Sequence, residues 1–118
     1  MSKIALIGLG LVGRAWAISF ARAGHEVALW DEKPDAVDGA LRYAEEVLPD
    51  LASNGLLEEL APTVRARMRR PATLEEALEG ASHVQESTPE DVDGKRRAFA
   101  TIVAIVRAGT RRSLICPG

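Results

Sequence analysis

Ile4-Ala5-Leu6-Ile7-Gly8-Leu9-Gly10-Leu11-Val12-Gly13 sets an apolar, strand-like run against three glycines spaced Gly-x-Gly-x-x-Gly, and residues with helical spacing follow. Strand, glycine turn and helix in that order read as the start of a dinucleotide-binding βαβ unit. Each glycine has a separate task. Gly8 permits the sharp turn out of the strand. A side chain at Gly10 would fill the space where phosphates approach the backbone, and one at Gly13 would push the helix off the strand. The N–H groups around Leu11 and Val12 are then free to face an anion, because the first amides of a helix lack intrahelical partners and the helix dipole adds partial positive charge there.

Eighteen residues after Gly13, Asp31 ends a second apolar run, Glu26-Val27-Ala28-Leu29-Trp30. At the carboxyl edge of a second strand its carboxylate can accept both hydroxyls of a ribose. The same charge repels a 2′-phosphate, which favours NAD over NADP despite Lys33 two residues on. With Pro34 close by, Asp31 also suits a strand-end turn or a helix cap. Arg14, in the first helical turn, reads as a solvated residue, with a phosphate pair as its other use.

At 118 residues and 47% hydrophobic, the chain suits one domain with a modest core. A net charge of −2 and a pI near 5.7 give no general attraction to nucleic acid or to anionic lipid. No apolar run reaches membrane-spanning length. Met1-Ser2-Lys3 leads straight into the first strand, so no secretory leader is expected. The lone Cys116 has no internal disulfide partner, and no Cys/His cluster has metal-ligand spacing, so the expectation is a cytoplasmic protein without a metal. Cys116 itself reads as a small buried residue rather than a catalytic thiol.

Strand and helix alternate along the chain, which implies an α/β, doubly wound parallel sheet with right-handed crossovers. The first helix carries Ala15, Trp16, Ile18, Ser19, Phe20 and Ala23, and Gly24 suits a left-handed cap at its end. Trp16 is expected against the sheet or a neighbouring domain. From Pro34 a longer helix repeats Val37, Ala40, Leu41, Ala44, Val47, Leu48 and Leu51, with a kink or break expected at Pro49 before the segment 50–60. Arg65 to Arg70 holds four arginines. The stretch reads as solvated loop or edge strand, with an anion patch as the alternative. Thr73-Leu74-Glu75-Glu76 has the form of a capping box opening a short helix that ends near Gly80.

A further strand, Ala81 to Glu86, leads into Ser87-Thr88-Pro89-Glu90-Asp91 at the same carboxyl edge as the glycine turn. Glu90, near a helix start, and Lys95, one turn on, admit two readings. They hold a nicotinamide ribose and steer an anionic substrate, or they are a helix-terminal acid and a surface lysine. His83, within the strand, reads as a core or edge histidine rather than a catalytic one. The next helix sets Val92, Phe99, Ile102, Val103 and Val106 on one side.

Together, Ile4 to Ala17, Leu29-Trp30-Asp31, His83 to Asp91 and Lys95 to Phe99 resemble the 3-hydroxyacyl-CoA dehydrogenase family over nearly the whole chain. Gly13-Arg14-Ala15-Trp16 and Gln85-Glu86 are most similar to the branch of lambda-crystallin/L-gulonate 3-dehydrogenase and, more distantly, L-carnitine dehydrogenase. The resemblance implies a Rossmann-type NAD-binding domain followed by a helical domain that completes the substrate cleft and mediates dimerisation. To the turn shaped by Gly8, Gly10 and Gly13 it adds cofactor contacts at Leu11 and Val12, with Asp31 at the adenosine ribose and Glu90 and Lys95 on the strand-to-helix loop. It also implies hydride transfer from a secondary 3-hydroxy group to nicotinamide, with a histidine held by a glutamate removing the hydroxyl proton. The substrate is then an acyl-CoA or a small hydroxy acid, and the setting fatty acid metabolism.

The chain departs from the family near its end. Gly109 to Gly118 lacks the expected serine-rich turn, and Arg111 and Arg112 are unusual entrants to a strand buried on both faces. An altered reading frame or a cut within the domain accounts for both. The expectation is therefore residues 1–118 as one domain incomplete at its C-terminal end, truncated before the helical substrate domain and without catalytic residues of its own. An exposed apolar patch is expected at Phe99, Ile102 and their neighbours, or at the sheet edge beyond Leu114-Ile115, where two copies can pair into a homodimer. Two other classes remain, a non-catalytic dinucleotide-binding module or sensor and a flavin-binding domain, the latter leaving Glu90 and Lys95 without a role.

Overall fold

The computed structural model describes residues 2–87, 100, 102–105 and 114–117. β1 (Lys3–Ile7) passes through the glycine turn into α1 (Leu11–Arg22). β2 (Glu26–Trp30), α2 (Pro34–Ser53), α3 (Ala61–Arg65), β3 (Met68–Arg69), α4 (Leu74–Leu78), β4 (His83–Glu86) and β5 (Leu114–Pro117) follow. All strand pairs are parallel, in the order β3-β2-β1-β4-β5. This is the doubly wound sheet expected from the alternation, with β1 at its centre.

Strand alternation divides the core between two faces. Leu6, Val27 and Leu29 point to one side, where they meet Ala17, Ile18 and Ala21 of α1, Val37, Ala40, Ala44 and Leu48 of α2, and Val64. Ala5, Ile7, Ala28 and Val84 point to the other, against Ala77, Leu78, Ala81 and the helical residue Ile102. A central strand covered on both faces needs an apolar residue at every position, which is why Ile4 to Ile7 is one continuous run.

Two helix ends follow the residues that announced them. After α1, Gly24 takes φ +96° while its N–H donates to Ala21 O at 3.1 Å and that of His25 donates to Phe20 O at 3.1 Å, a Schellman ending. At α4, Thr73 Oγ1 accepts from Glu76 N at 3.1 Å. The Glu76 carboxylate reaches back one residue further than a capping box requires, to Ala72 N at 3.2 Å.

Several expectations need correction. The buried face of α1 is Gly13, Ala17, Ile18 and Ala21, while Ala15, Trp16, Ser19 and Ala23 are exposed. Small residues allow the helix to lie close to the sheet. Trp16 stacks on Phe20, ring centroids 5.3 Å apart, and stays 39% exposed rather than buried against the sheet. Helix α2 does not break at Pro49; it runs through to Ser53. Pro49 removes one hydrogen bond near the helix end, and the packed Leu48 and Leu51 on either side hold the last turn in place. Ile102 is buried at 1% exposure, so it belongs to the core and not to an exposed patch. Among the described residues the exposed large apolar ones are Leu11, Val12, Trp16, Leu56 and Leu60. Glu90, Lys95, Val92, Phe99, Val106, Arg111 and Arg112 lie outside the described residues, as does the Cys116 side chain.

Candidate functional site

The turn after β1 is built by steric necessity. Gly8 holds φ +95°, a conformation open to glycine, and its N–H donates to Trp30 O at 3.0 Å, closing the turn against the end of β2. A Cβ at Gly13 would stand 2.0 Å from the Gly8 carbonyl oxygen, which no backbone can accommodate. A Cβ at Gly10 would meet no protein atom within 4 Å, so the space beside it is open. Leu9 lies between them with its side chain in the core, anchoring the turn from below.

Helix α1 begins without a cap. Gly10 is the N-cap residue and offers no side-chain oxygen, the first turn carries no acidic residue, and the first intrahelical bond runs from Arg14 N to Gly10 O at 3.0 Å. The amides of Leu11, Val12 and Gly13 precede that bond, so the intrahelical ladder leaves them unpaired. Leu11 and Val12 are 83% and 60% exposed, so the helix start opens to solvent. An anion there satisfies the unpaired donors and meets the positive end of the dipole.

Asp31 stands directly beside the turn. Its Oδ2 accepts from Leu9 N at 2.8 Å and its Oδ1 from Lys33 N at 2.9 Å. The second bond is the strand-end turn weighed in the sequence, and the first ties the carboxylate to the glycine loop. Each oxygen keeps a further lone pair, enough to accept hydroxyl hydrogens as well. Both uses of Asp31 are therefore compatible. Arg14 is not a solvated residue. It is half-buried, its Nε donates to Leu9 O at 3.3 Å, and its guanidinium occupies the place a Cβ of Gly39 would need, 2.5 Å away. The sequence held a signal for this in a glycine at mid-helix, one that clears room for a neighbouring side chain.

On the other side of β1, Ser87 N donates to Ile7 O at 2.7 Å, which places Ser87 beside Gly8 at the sheet edge. Glu86 before it is buried at 1% exposure, and Gln85 is buried as well. The Ser87 hydroxyl is buried and has no hydrogen-bond partner among the described residues. His83 sits at the opposite, amino end of β4, with Nε2 3.2 Å from Gln85 Oε1 and its ring 5.8 Å from that of Phe20.

The four arginines of 65–70 form no open anion patch, because each meets a carboxylate. Arg65 lies 3.5 Å from Glu45 and Arg69 Nε 2.7 Å from Glu26, while Arg67 grips Glu59 through both nitrogens of its fork and Arg70 pairs with Asp38. Hydrogen bonding from Arg67, with its charge adding to the effect, holds the Glu59 carboxyl below the ordinary carboxylate range. Met68–Arg69 is an edge strand, as one reading of the sequence had it. Among the described residues, no cluster of His, Cys, Asp or Glu is placed to hold a metal, and no helix is long and apolar enough to cross a membrane.

Residues 3–111 match the family described as 3-hydroxyacyl-CoA dehydrogenase, NAD binding domain. Lambda-crystallin from Oryctolagus cuniculus is 38% identical over 105 residues, covering 87% of this chain and 33% of that protein. L-carnitine dehydrogenase from Streptomyces griseus is 38% identical over 108 residues, covering 92% of this chain and 31% of that one. Among solved structures, 3-hydroxybutyryl-CoA dehydrogenase from Escherichia coli K12 superposes with a TM-score of 0.79 at 27% identity, over 88% of this chain and 22% of its own. The chain thus spans about a third of the length of lambda-crystallin and of L-carnitine dehydrogenase.

Proposed function

The chain belongs to the 3-hydroxyacyl-CoA dehydrogenase family, as its NAD-binding domain, and from that premise we propose that it holds NAD across the edge formed by β1, β2 and β4 for hydride exchange with a 3-hydroxy substrate. The observation that carries this reading is the uncapped, acid-free start of α1 lying against the Asp31 carboxylate. Donors without partners suit a pyrophosphate, and an acceptor next to them suits a ribose.

In this reading Gly8 and Gly13 shape the turn, Gly10 leaves room for the phosphates, and the amides of Leu11, Val12 and Gly13 grip them. Asp31 accepts from the adenosine ribose and rejects a 2′-phosphate by charge. Glu90 and Lys95 take the nicotinamide ribose. Bound NAD supplies the hydride acceptor. The alcohol proton is removed by a histidine–glutamate pair of a helical domain that also completes the substrate cleft. The substrate class is an acyl-CoA or a small hydroxy acid, which fits fatty acid metabolism. The setting is the cytoplasm, and the assembly a homodimer. Nucleic acid and membrane are not partners. No observation favours a non-catalytic module, and L-carnitine dehydrogenase and 3-hydroxybutyryl-CoA dehydrogenase are among the relatives.

Calorimetric titration of the chain tests the cofactor. NADH should bind, with NADPH at least about tenfold weaker, the order of one repulsive contact. Equal affinity, or a preference for NADPH, would reject the role given to Asp31.

A further inference from the structure

The sheet order reverses between β1 and β4, with β2 and β3 on one side of β1 and β4 and β5 on the other. In open parallel sheets the crevice above such a reversal, at the carboxyl ends of the strands, is where ligands sit. Gly8 and Ser87 flank it from below. Because Ile7 pairs with both Trp30 and Glu86, the residues that follow stand in one row, Asp31, Gly8 and Ser87, across the sheet edge. The bonds from Gly8 N to Trp30 O and from Ser87 N to Ile7 O fix that row.

Within the row, the side chain of Ser87 is out of keeping with a finished interior. Its Oγ is buried yet has no hydrogen-bond partner among the described residues. Buried hydroxyls without partners are few in folded proteins, because the hydration they lose is not replaced. Among the described residues Arg65 Nε is the other buried group of this kind, but its guanidinium also meets Met68 O and Glu45. Among the described residues the Ser87 side chain has no such second contact.

We infer that Ser87 is a cofactor-contacting residue whose hydroxyl donates to a ribose or phosphate oxygen in the nicotinamide-side half of the dinucleotide. This rests on the nucleotide reading above. Asp31 takes the adenosine ribose on the β2 side and the turn between Gly8 and Gly13 takes the pyrophosphate. A dinucleotide continuing across β1 then brings its second half to the end of β4, where Ser87 stands.

The test compares the chain with Ser87→Ala by calorimetric titration with NADH and with AMP, alongside ligand-free thermal melts. The variant should lose about three- to tenfold in NADH affinity, the range of one hydrogen bond. AMP, which lacks the second ribose, should bind both proteins equally. The ligand-free variant should melt no lower than the parent, since it sheds an unpaired buried hydroxyl. Unchanged NADH affinity would overturn the assignment. So would equal losses for NADH and AMP with a lowered melting temperature, which would mark Ser87 as a packing residue. If the parent chain bound neither nucleotide, the reading of the whole edge would fall, an outcome distinct from a failure at Ser87 alone.

Discussion

The start of α1 and the β3 edge are two places where this chain can meet an anion, and they are built in opposite ways. The first has no basic side chain aimed outward; it offers backbone amides that nothing caps. The second has four guanidinium groups in six residues, each with a carboxylate from Glu26, Asp38, Glu45 or Glu59 beside it. Donors left without partners mark a binding site, and charge already neutralised marks a piece of scaffold. The arginines draw β3, α2 and the segment after α2 together, while the glycine turn keeps its donors free.

The strongest way to break the comparison is Gly13→Ala. Its methyl group would overlap a carbonyl of the same turn, which cannot move without lifting α1 from β1. Overpacking against rigid backbone should cost about 3 kcal/mol or more and abolish NADH binding, as urea unfolding and titration would read. A stability within about 1 kcal/mol of the parent would show that helix and strand are not locked at this point.

Next in size is Asp31→Asn. It keeps an acceptor for the glycine loop but loses the charge, so NADH affinity should fall about tenfold or more and the penalty against NADPH should shrink. Full retention of NADH affinity with the same cofactor preference would remove Asp31 from the ribose. At the other region, Arg69→Ala and Arg70→Ala should each leave NADH affinity within about twofold and change stability by roughly 0–1 kcal/mol, as expected of exposed ion pairs. A large loss of affinity in either variant would turn the edge back into a binding surface.

The smallest effect concerns pH. Glu59 is held below the ordinary carboxylate range in the folded chain by its hydrogen bond from Arg67. Its stabilising contribution is therefore complete above the ordinary unfolded value and disappears as pH falls through the lowered folded one. Acid unfolding of Glu59→Gln should accordingly show less dependence on pH in that window than the parent. An identical acid profile would mean that the pair contributes nothing.

The glycine turn was legible because its constraints are local. A positive φ at Gly8 and a forbidden Cβ at Gly13 each exclude other residues within a few positions of one another. The phase of α1 was harder to read. Ala15 and Trp16 are apolar yet exposed, and the true inner face is marked by smallness, Gly13, Ala17 and Ala21 at steps of four. Smallness reflects the distance between helix and sheet, which hydrophobicity does not encode. Pro49 was legible as a lost donor, but the packing of Leu48 and Leu51 around it belongs to the tertiary structure. The same holds at the β3 edge, where the sequence shows four positive charges and the neutralising carboxylates arrive from elsewhere in the chain. Ser87 was legible only by its place at the carboxyl edge of the sheet. A serine in a loop is ordinary, and only the fold shows its hydroxyl to be buried without a partner among the described residues.

The contrast between the two regions is tested most directly by following backbone amide resonances while NAD is added. The account predicts the largest shifts at Gly10, Leu11, Val12 and Gly13, with Asp31 moving alongside them and residues 65–70 unchanged. Shifts centred on residues 65–70, with the glycine turn still, would contradict it.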